Sequence, residues 1–203
     1  MNFLQAVRKN LGVLVFSAIY TVAFATYYIY QGDFEFLWYV AVLVGLFLLI
    51  LFTLNRSKFD RVALWGLSLW GLLHMAGGGI VIGGNVLYAF TLIPFVTDGE
   101  MTILKYDQFV HMFGFGVATV VGWQLLSPHL LKTFSRKAIY FLLILIGAGF
   151  GVLNEIVEFI AVLSFPETGV GGYVNTSLDL VSNTVGAIAA VFFIHYYYVK
   201  KLR

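Results

Sequence analysis

Residues 34–54 of the chain read FEFLWYVAVLVGLFLLILFTL, and this stretch decides the fold class. Glu35 is the only charged residue in it. A helix needs about 20 predominantly apolar residues to cross the hydrocarbon core of a bilayer, and the stretch meets that length. Because every backbone polar group must find a partner inside lipid, such a span forms a helix. The stretch therefore predicts a transmembrane helix in an integral membrane protein.

The composition of the whole chain agrees with this prediction. Of the 203 residues, 61% are hydrophobic and 11% are charged, whereas a soluble domain has about 25% charged residues. So few charges cannot cover a water-soluble body, and the chain must expose apolar surface to lipid. The absence of cysteine excludes disulfides, thiolate metal sites and cysteine nucleophiles.

Similar apolar stretches recur along the chain. They predict an all-α bundle of about six transmembrane helices in one domain over residues 1–203. The predicted spans are Leu11–Tyr30, Phe34–Leu54, Val62–Ile82, Asp107–Leu126, Ala138–Leu163 and Leu178–Val199. The longest connection covers residues 83–106, and its apolar part either lies along the outer interface or re-enters the bundle.

The basic residues predict an orientation for these spans. Of the 12 Lys and Arg residues, all but Lys105 lie at the termini or in loops on one side. Cytoplasmic loops of membrane proteins carry an excess of Lys and Arg. We therefore expect both termini to be cytoplasmic.

Glycines at helical spacing predict close packing of the third, fourth and fifth spans. Gly147 and Gly151 have the small-xxx-small spacing that lets transmembrane helices approach closely. Gly77, Gly114 and their glycine neighbours extend the pattern to the third and fourth spans.

Ionisable side chains inside the spans are the strongest indication of function. Each costs roughly 2.5–3.5 kcal/mol at the centre of a bilayer on insertion scales, so it needs a compensating role. The predicted orientation places all of them at one level, in the outer half of the bundle, and we expect the pairs on the fourth, fifth and sixth spans to point inward and meet. They are His74, Asp107, His111, Glu155, Glu158 and Asp179, accompanied by Asn154 and Asn183.

Structural roles explain some of these residues equally well. Asp107 and Asp179 lie near the predicted starts of helices, where a carboxylate caps the helix and interacts favourably with its dipole. His74 fits a hydrogen-bonded interior histidine. Asn183 fits a bridge between helices, and Glu158 could reach water.

Three motifs resemble those of the VanZ-like membrane proteins. They are Tyr106-Asp-Gln-Phe-Val-His111, Asn154-Glu-Ile-Val-Glu158 and Leu178-Asp-Leu-Val-Ser-Asn183-Thr-Val-Gly-Ala187. The segment Leu72-Leu-His74-Met-Ala-Gly-Gly-Gly79 is similar to the related YjdF-type inner-membrane proteins. The resemblance covers residues 62–195 and implies a multi-pass plasma-membrane protein, in a family that includes proteins associated with teicoplanin resistance.

Two main classes of function fit the polar residues. The first is a metal-assisted enzyme acting on a lipid-linked or envelope substrate, with Asp107, His111, Glu155 and Asp179 as ligands of a divalent metal ion and Glu158 or His74 as general base. The second is non-enzymatic: a small transporter or an ion- or lipid-binding protein, or a cluster that only holds the helices together. The expected partners are membrane lipids, with homo-oligomers left open, and no basic patch indicates nucleic acid.

Overall fold

The computed structural model describes residues 2–57, 59–98, 101–130, 133–166 and 168–200. Seven α-helices and four short strands form this part of the chain. The helices are α1 (Phe3–Lys9), α2 (Leu11–Gln31), α3 (Phe34–Ser57), α4 (Arg61–Gly79), α5 (Tyr106–Leu126), α6 (Arg136–Ser164) and α7 (Tyr173–Ile194). A 3₁₀ turn over Ser127–His129 extends α5, and a π-helical turn over His195–Val199 extends α7.

The all-α membrane bundle is confirmed. Each of the six predicted spans corresponds to one long helix, and within the described residues five helices are both long and apolar enough to cross a membrane. The exception is α4, which is 19 residues long. It ends at the glycines Gly77–Gly79 and contains Ser68 and His74, so it is less apolar than the other five.

The last long helix begins earlier than the sequence predicts. It starts at Tyr173 rather than Leu178, because the polar side chains of its first turns are satisfied within the helix itself. The Ser177 hydroxyl donates to the Tyr173 carbonyl at 2.8 Å, and Asn175 bonds Asp179 one turn later. Asp179 therefore lies well inside the helix, and its interpretation as a helix cap is wrong. Asp107 does lie in the first turn of its helix.

The long connection between α4 and α5 forms two hairpins, which the sequence analysis did not predict. Strand β1 (Val81–Ile82) pairs with β2 (Asn85–Val86), and β3 (Thr91–Asp98) pairs with β4 (Met101–Lys105), both antiparallel. Gly83 and Gly84 join the first pair with φ values of 59° and 86°. Two positive φ angles in a two-residue turn match the twist of antiparallel strands, and glycine adopts them without strain.

Contacts within the chain group it into two compact units. The first comprises Met1–Phe90 and Ala161–Thr168, and the second comprises Thr91–Ile160 and Gly169–Arg203. In the first unit, α2 packs against α4 through a 2.7 Å hydrogen bond between Ser17 and Ser68. The Tyr28 hydroxyl adds a bond to the Met75 carbonyl at 2.5 Å.

In the second unit, α5 and α7 run parallel and touch backbone to backbone. Asp107 is hydrogen-bonded to Asn175, and Gln124 to Tyr198, so the residue numbers of bonded pairs increase in the same direction along both helices. A Cβ atom built on Gly186 would overlap the carbonyl group of Met112. Glycine is thus required for this approach, as expected for small residues at helix interfaces in membranes.

Helix α6 has an exposed apolar face and, on its opposite side, a mostly buried polar face. Leu153, Ile156 and Phe159 are 56%, 48% and 58% exposed. Glu155 and Glu158 lie on the other side, with side chains only 10% and 14% exposed. An apolar face exposed in this way needs lipid around it, and the carboxylates are directed into the unit as predicted.

Candidate metal centre

His111 stands at the centre of the polar cluster in the second unit. It lies one turn after Asp107 on α5, and its side chain is 5% exposed. Its Nδ1 is 3.0 Å from Asn183 Oδ1 on α7. Because an amide oxygen only accepts hydrogen bonds, Nδ1 must carry the hydrogen and donate it. In the neutral ring, the other nitrogen, Nε2, then presents a lone pair, which is the form that binds metal ions.

Asn175 holds two aspartates in position. Its Nδ2 donates to Asp179 Oδ2 at 2.7 Å and to Asp107 Oδ2 at 3.4 Å. The Oδ1 atoms remain, and Asp107 Oδ1 lies 3.6 Å from His111 Nε2. Asp179 Oδ1 is buried and has no hydrogen-bond partner in the described part of the chain. Asn175 therefore orients one oxygen of each aspartate and leaves the other available for a ligand.

The two glutamates of α6 approach the imidazole from different sides. Glu158 Oε1 is 3.7 Å from His111 Nε2 and accepts a 2.7 Å hydrogen bond from Asn154. Glu155 Oε1 is 3.6 Å from Nδ1. Glu155 also has the amide of Asn183 as a polar neighbour, yet its buried Oε1 has no hydrogen bond among the described residues.

Four carboxylates thus surround one imidazole. Asp179 is fully buried, and it is repelled by Asp107, Glu155 and Glu158 while Lys105 attracts it. No ion pair within 4.0 Å joins Lys105 to these acids in the described residues. Close burial of like charges is strongly unfavourable without a compensating cation.

Two sets of potential ligand atoms meet at His111. Atoms of Asp107, His111 and Asp179 all lie within 4.8 Å of one another, as do atoms of His111, Glu155 and Glu158. Ligand bonds to a divalent ion such as zinc are about 2.0–2.2 Å long, so two atoms on opposite sides of it are roughly 4 Å apart. The Asp, Glu and His side chains of three helices therefore come together as predicted, and the spacing of their atoms suits a bound ion.

Comparison with known families bears on the whole of this region. A family model described as "Predicted membrane protein (DUF2238)" matches residues 12–200. The chain belongs to the DUF2238 family. The match includes every residue of the cluster and all the long helices except the first residue of α2, and its description does not carry the VanZ-like or YjdF-type name. No curated protein and no solved structure matches the chain.

His74 of this DUF2238 protein lies in the first unit, in a hydrogen-bonded setting. Its Nδ1 is 2.6 Å from the Tyr88 hydroxyl, which also donates to the His74 carbonyl at 2.8 Å. The ring additionally packs edge-on against Tyr39. The two ligand sets do not include His74, and its surroundings match the interior histidine that the sequence analysis gave as an alternative.

Two further residues of the cluster were not among the predicted site residues. Asn175 precedes Asp179 by four positions, as Asp179 precedes Asn183, so a regular i, i+4 spacing was the signal that could have found it. Gly151 on α6 faces Asn183, and a Cβ atom there would overlap the amide of Asn183. Gly151 thus makes room for the side chain that orients His111.

Proposed function

We propose that this DUF2238 protein binds one divalent metal ion through His111 Nε2, Asp107 Oδ1 and Asp179 Oδ1. The observation that carries the proposal is Asp179 Oδ1, a fully buried carboxylate oxygen with no hydrogen bond within the described structure. The hydrogen bonds from Asn175 and to Asn183 are of the second-shell type that orients metal ligands. A cation at this point would offset the repulsion among the carboxylates.

The ligand types favour particular ions. One imidazole and two carboxylates form a mixed nitrogen and oxygen set, which suits Zn²⁺ or Mn²⁺ better than Ca²⁺, since Ca²⁺ takes six to eight oxygens. With three protein ligands, a position remains for water or substrate, as in catalytic rather than structural zinc sites.

We further propose that the site hydrolyses a lipid-linked or envelope substrate. A bound divalent ion would lower the pKa of its water and polarise a carbonyl or phosphoryl oxygen. Glu158 would act as general base, a role supported by the position of its Oε1 on the Nε2 side of His111 and by its hydrogen bond from Asn154. Glu155, which the sequence analysis predicted as a ligand, lies on the Nδ1 side and would stabilise the orientation of the imidazole.

The class of substrate rests on where the cluster lies. The positive-inside distribution of the basic residues supports a location in the outer half of a plasma-membrane protein, and the motifs of the cluster resemble those of VanZ-like proteins. Asp107 is the most exposed acid of the cluster, at 19%, and so marks the side from which a headgroup would enter.

Metal analysis tests the proposal. We expect about one Zn²⁺ or Mn²⁺ per purified chain, and its loss in Asp179→Asn and His111→Ala. Glu35→Gln, a change of one acid in the first unit, is the matched control and should retain the ion. Absence of stoichiometric metal, together with thermal stability that chelator leaves unchanged, would overturn the proposal.

The non-enzymatic alternatives predict different results. Transporters typically place their sites at broken helices, whereas α5, α6 and α7 pass the cluster as continuous helices. If the cluster is purely structural, Glu155→Gln should impair folding, and no activity should be lost beyond what the loss of folded protein explains. Uptake of an ion by proteoliposomes containing the wild-type protein would support transport instead.

A further inference from the structure

A cavity of about 220 Å³ lies in the second unit, away from the carboxylates. Its wall includes Trp123, Ser127, Leu130, Phe134, Arg136 and Tyr140. An α-helix rises 1.5 Å per residue, so Trp123 lies about 24 Å further along α5 than Asp107. The cavity is therefore formed where α5 ends and α6 begins, at the end of the unit that the basic loops predict to be cytoplasmic.

The charged residues in the sequence around this cavity are all basic. Residues 108–154 and 180–203, which include its whole wall, contain no Asp or Glu. Arg136 is the first residue of α6, is exposed and makes no ion pair in the described structure. The charge therefore selects an anion.

The rest of the wall selects a lipid rather than a free anion. Most of it is apolar, and the Tyr140 hydroxyl is already bonded to His195 Nδ1 at 2.8 Å. Arg136, Ser127 and the indole N–H of Trp123 are then the remaining side-chain donors for an anion, beside the exposed ring of Phe134. Trp123 has the amphipathic side chain typical of the membrane interface.

We propose that this cavity binds the phosphate headgroup of an anionic phospholipid through Arg136, with the start of an acyl chain against Phe134 and Leu130. A guanidinium group can bind phosphate with two parallel hydrogen bonds. Basic pockets between transmembrane helices on the cytoplasmic side commonly hold such headgroups. The site is separate from the proposed metal centre and requires no ion there.

Thermal unfolding in lipid-doped detergent tests this site. Phosphatidylglycerol should raise the Tm of the wild-type protein by several degrees more than phosphatidylcholine does. Arg136→Gln should lose at least half of that difference, and Lys137→Gln, the matched control outside the cavity wall, should keep it. Native mass spectrometry of the same samples should show one retained phosphatidylglycerol that Arg136→Gln lacks.

Three results would overturn the proposal. They are an unchanged phosphatidylglycerol preference in Arg136→Gln, an equal loss in Lys137→Gln, and an equal Tm increase with inorganic phosphate, which would indicate a soluble-anion site. Arg136→Lys keeps the charge and covers the case in which Arg136→Gln does not fold. With its lipid-free Tm unchanged, it should bind the lipid more weakly, and full retention of the preference would contradict the paired hydrogen bonds.

Discussion

At the scale of single residues, the cluster depends on which atoms are already occupied. Asn175 forms a hydrogen bond with one oxygen of Asp179, and Asn183 with one nitrogen of His111. The second oxygen and the second nitrogen are then available for a ligand. The sequence predicted that Asp107, His111, Glu155, Glu158 and Asp179 converge. It could not predict which oxygen or nitrogen faces the centre, because that depends on side-chain rotamers and on neighbours from other helices.

Asp179→Asn should have opposite effects on the metal-free and metal-bound proteins. In the metal-free protein it replaces one of four mutually repelling buried acids with a neutral amide, so we expect a gain in stability of about 1–2 kcal/mol, or a Tm increase of roughly 2–8 °C for a chain of this size. The increase in Tm on adding Zn²⁺ should disappear. Thermal unfolding with and without chelator measures both effects, and a large destabilisation of the metal-free variant would contradict the predicted repulsion.

Asn183→Ala should weaken metal binding without removing a ligand. It leaves His111 Nδ1 without its acceptor, and loss of such second-shell partners typically costs 10–100-fold in metal affinity. Titration of the chelated protein with Zn²⁺ measures the change. Gln124→Ala, which removes the 2.9 Å bond to Tyr198 elsewhere on the same helix pair, is the control and should leave the affinity unchanged.

At the scale of helices, the apolar stretches predicted the long helices well, whereas the polar residues before Asp179 led to a wrong start for α7. The five most apolar helices begin and end close to the predicted bounds, except that α7 starts five residues earlier. Asp179 was predicted as a possible helix cap, yet Asp179 and the polar residues Thr176 and Ser177 before it lie inside the helix. The two hairpins before α5 were missed because strands of two to eight residues carry too little alternation to stand out in an apolar sequence.

Gly186→Ala should separate α5 from α7. The added methyl group would overlap the Met112 carbonyl, which belongs to the backbone and cannot move alone. Overpacking of this kind typically costs about 1–3 kcal/mol. Gly149→Ala on α6 is the matched control, because its Cβ would meet nothing within 4 Å and alanine favours the helix by up to about 1 kcal/mol. Equal thermal stability of the two variants would contradict the close contact.

At the scale of the whole molecule, exposed apolar side chains and the charges of the loops describe a multi-pass membrane protein. The family match over residues 12–200 agrees with the membrane assignment. The orientation is a prediction from charge alone: eleven basic residues on one side of the spans against Lys105 on the other. The hydrophobic pattern could not predict this orientation, because the cytoplasmic and the outer half of each helix are both surrounded by lipid.

Reporter fusions measure this orientation. Green fluorescent protein fused after Arg203 should fluoresce, because we expect the C-terminus to be cytoplasmic, and alkaline phosphatase at the same position should be inactive. Alkaline phosphatase inserted between Gly83 and Gly84, in an exposed two-residue turn, should be active. The reverse pattern would place the carboxylate cluster on the cytoplasmic side and remove the argument for an envelope substrate.

The contact between Gly186 and Met112 also has a mechanical consequence. It holds α5 and α7 together close to the carboxylates. The helix segments that lead from this contact to Tyr106 and Tyr173 would therefore pivot about it. Charge on the carboxylates would spread these two ends, and a bound cation would draw them together. Spin labels near the two tyrosines should report a shorter distance when Zn²⁺ is added, while labels near Leu126 and Ile194 should not move. Binding of an ion in this cluster would then be detected as a movement at the surface where we propose that a headgroup enters.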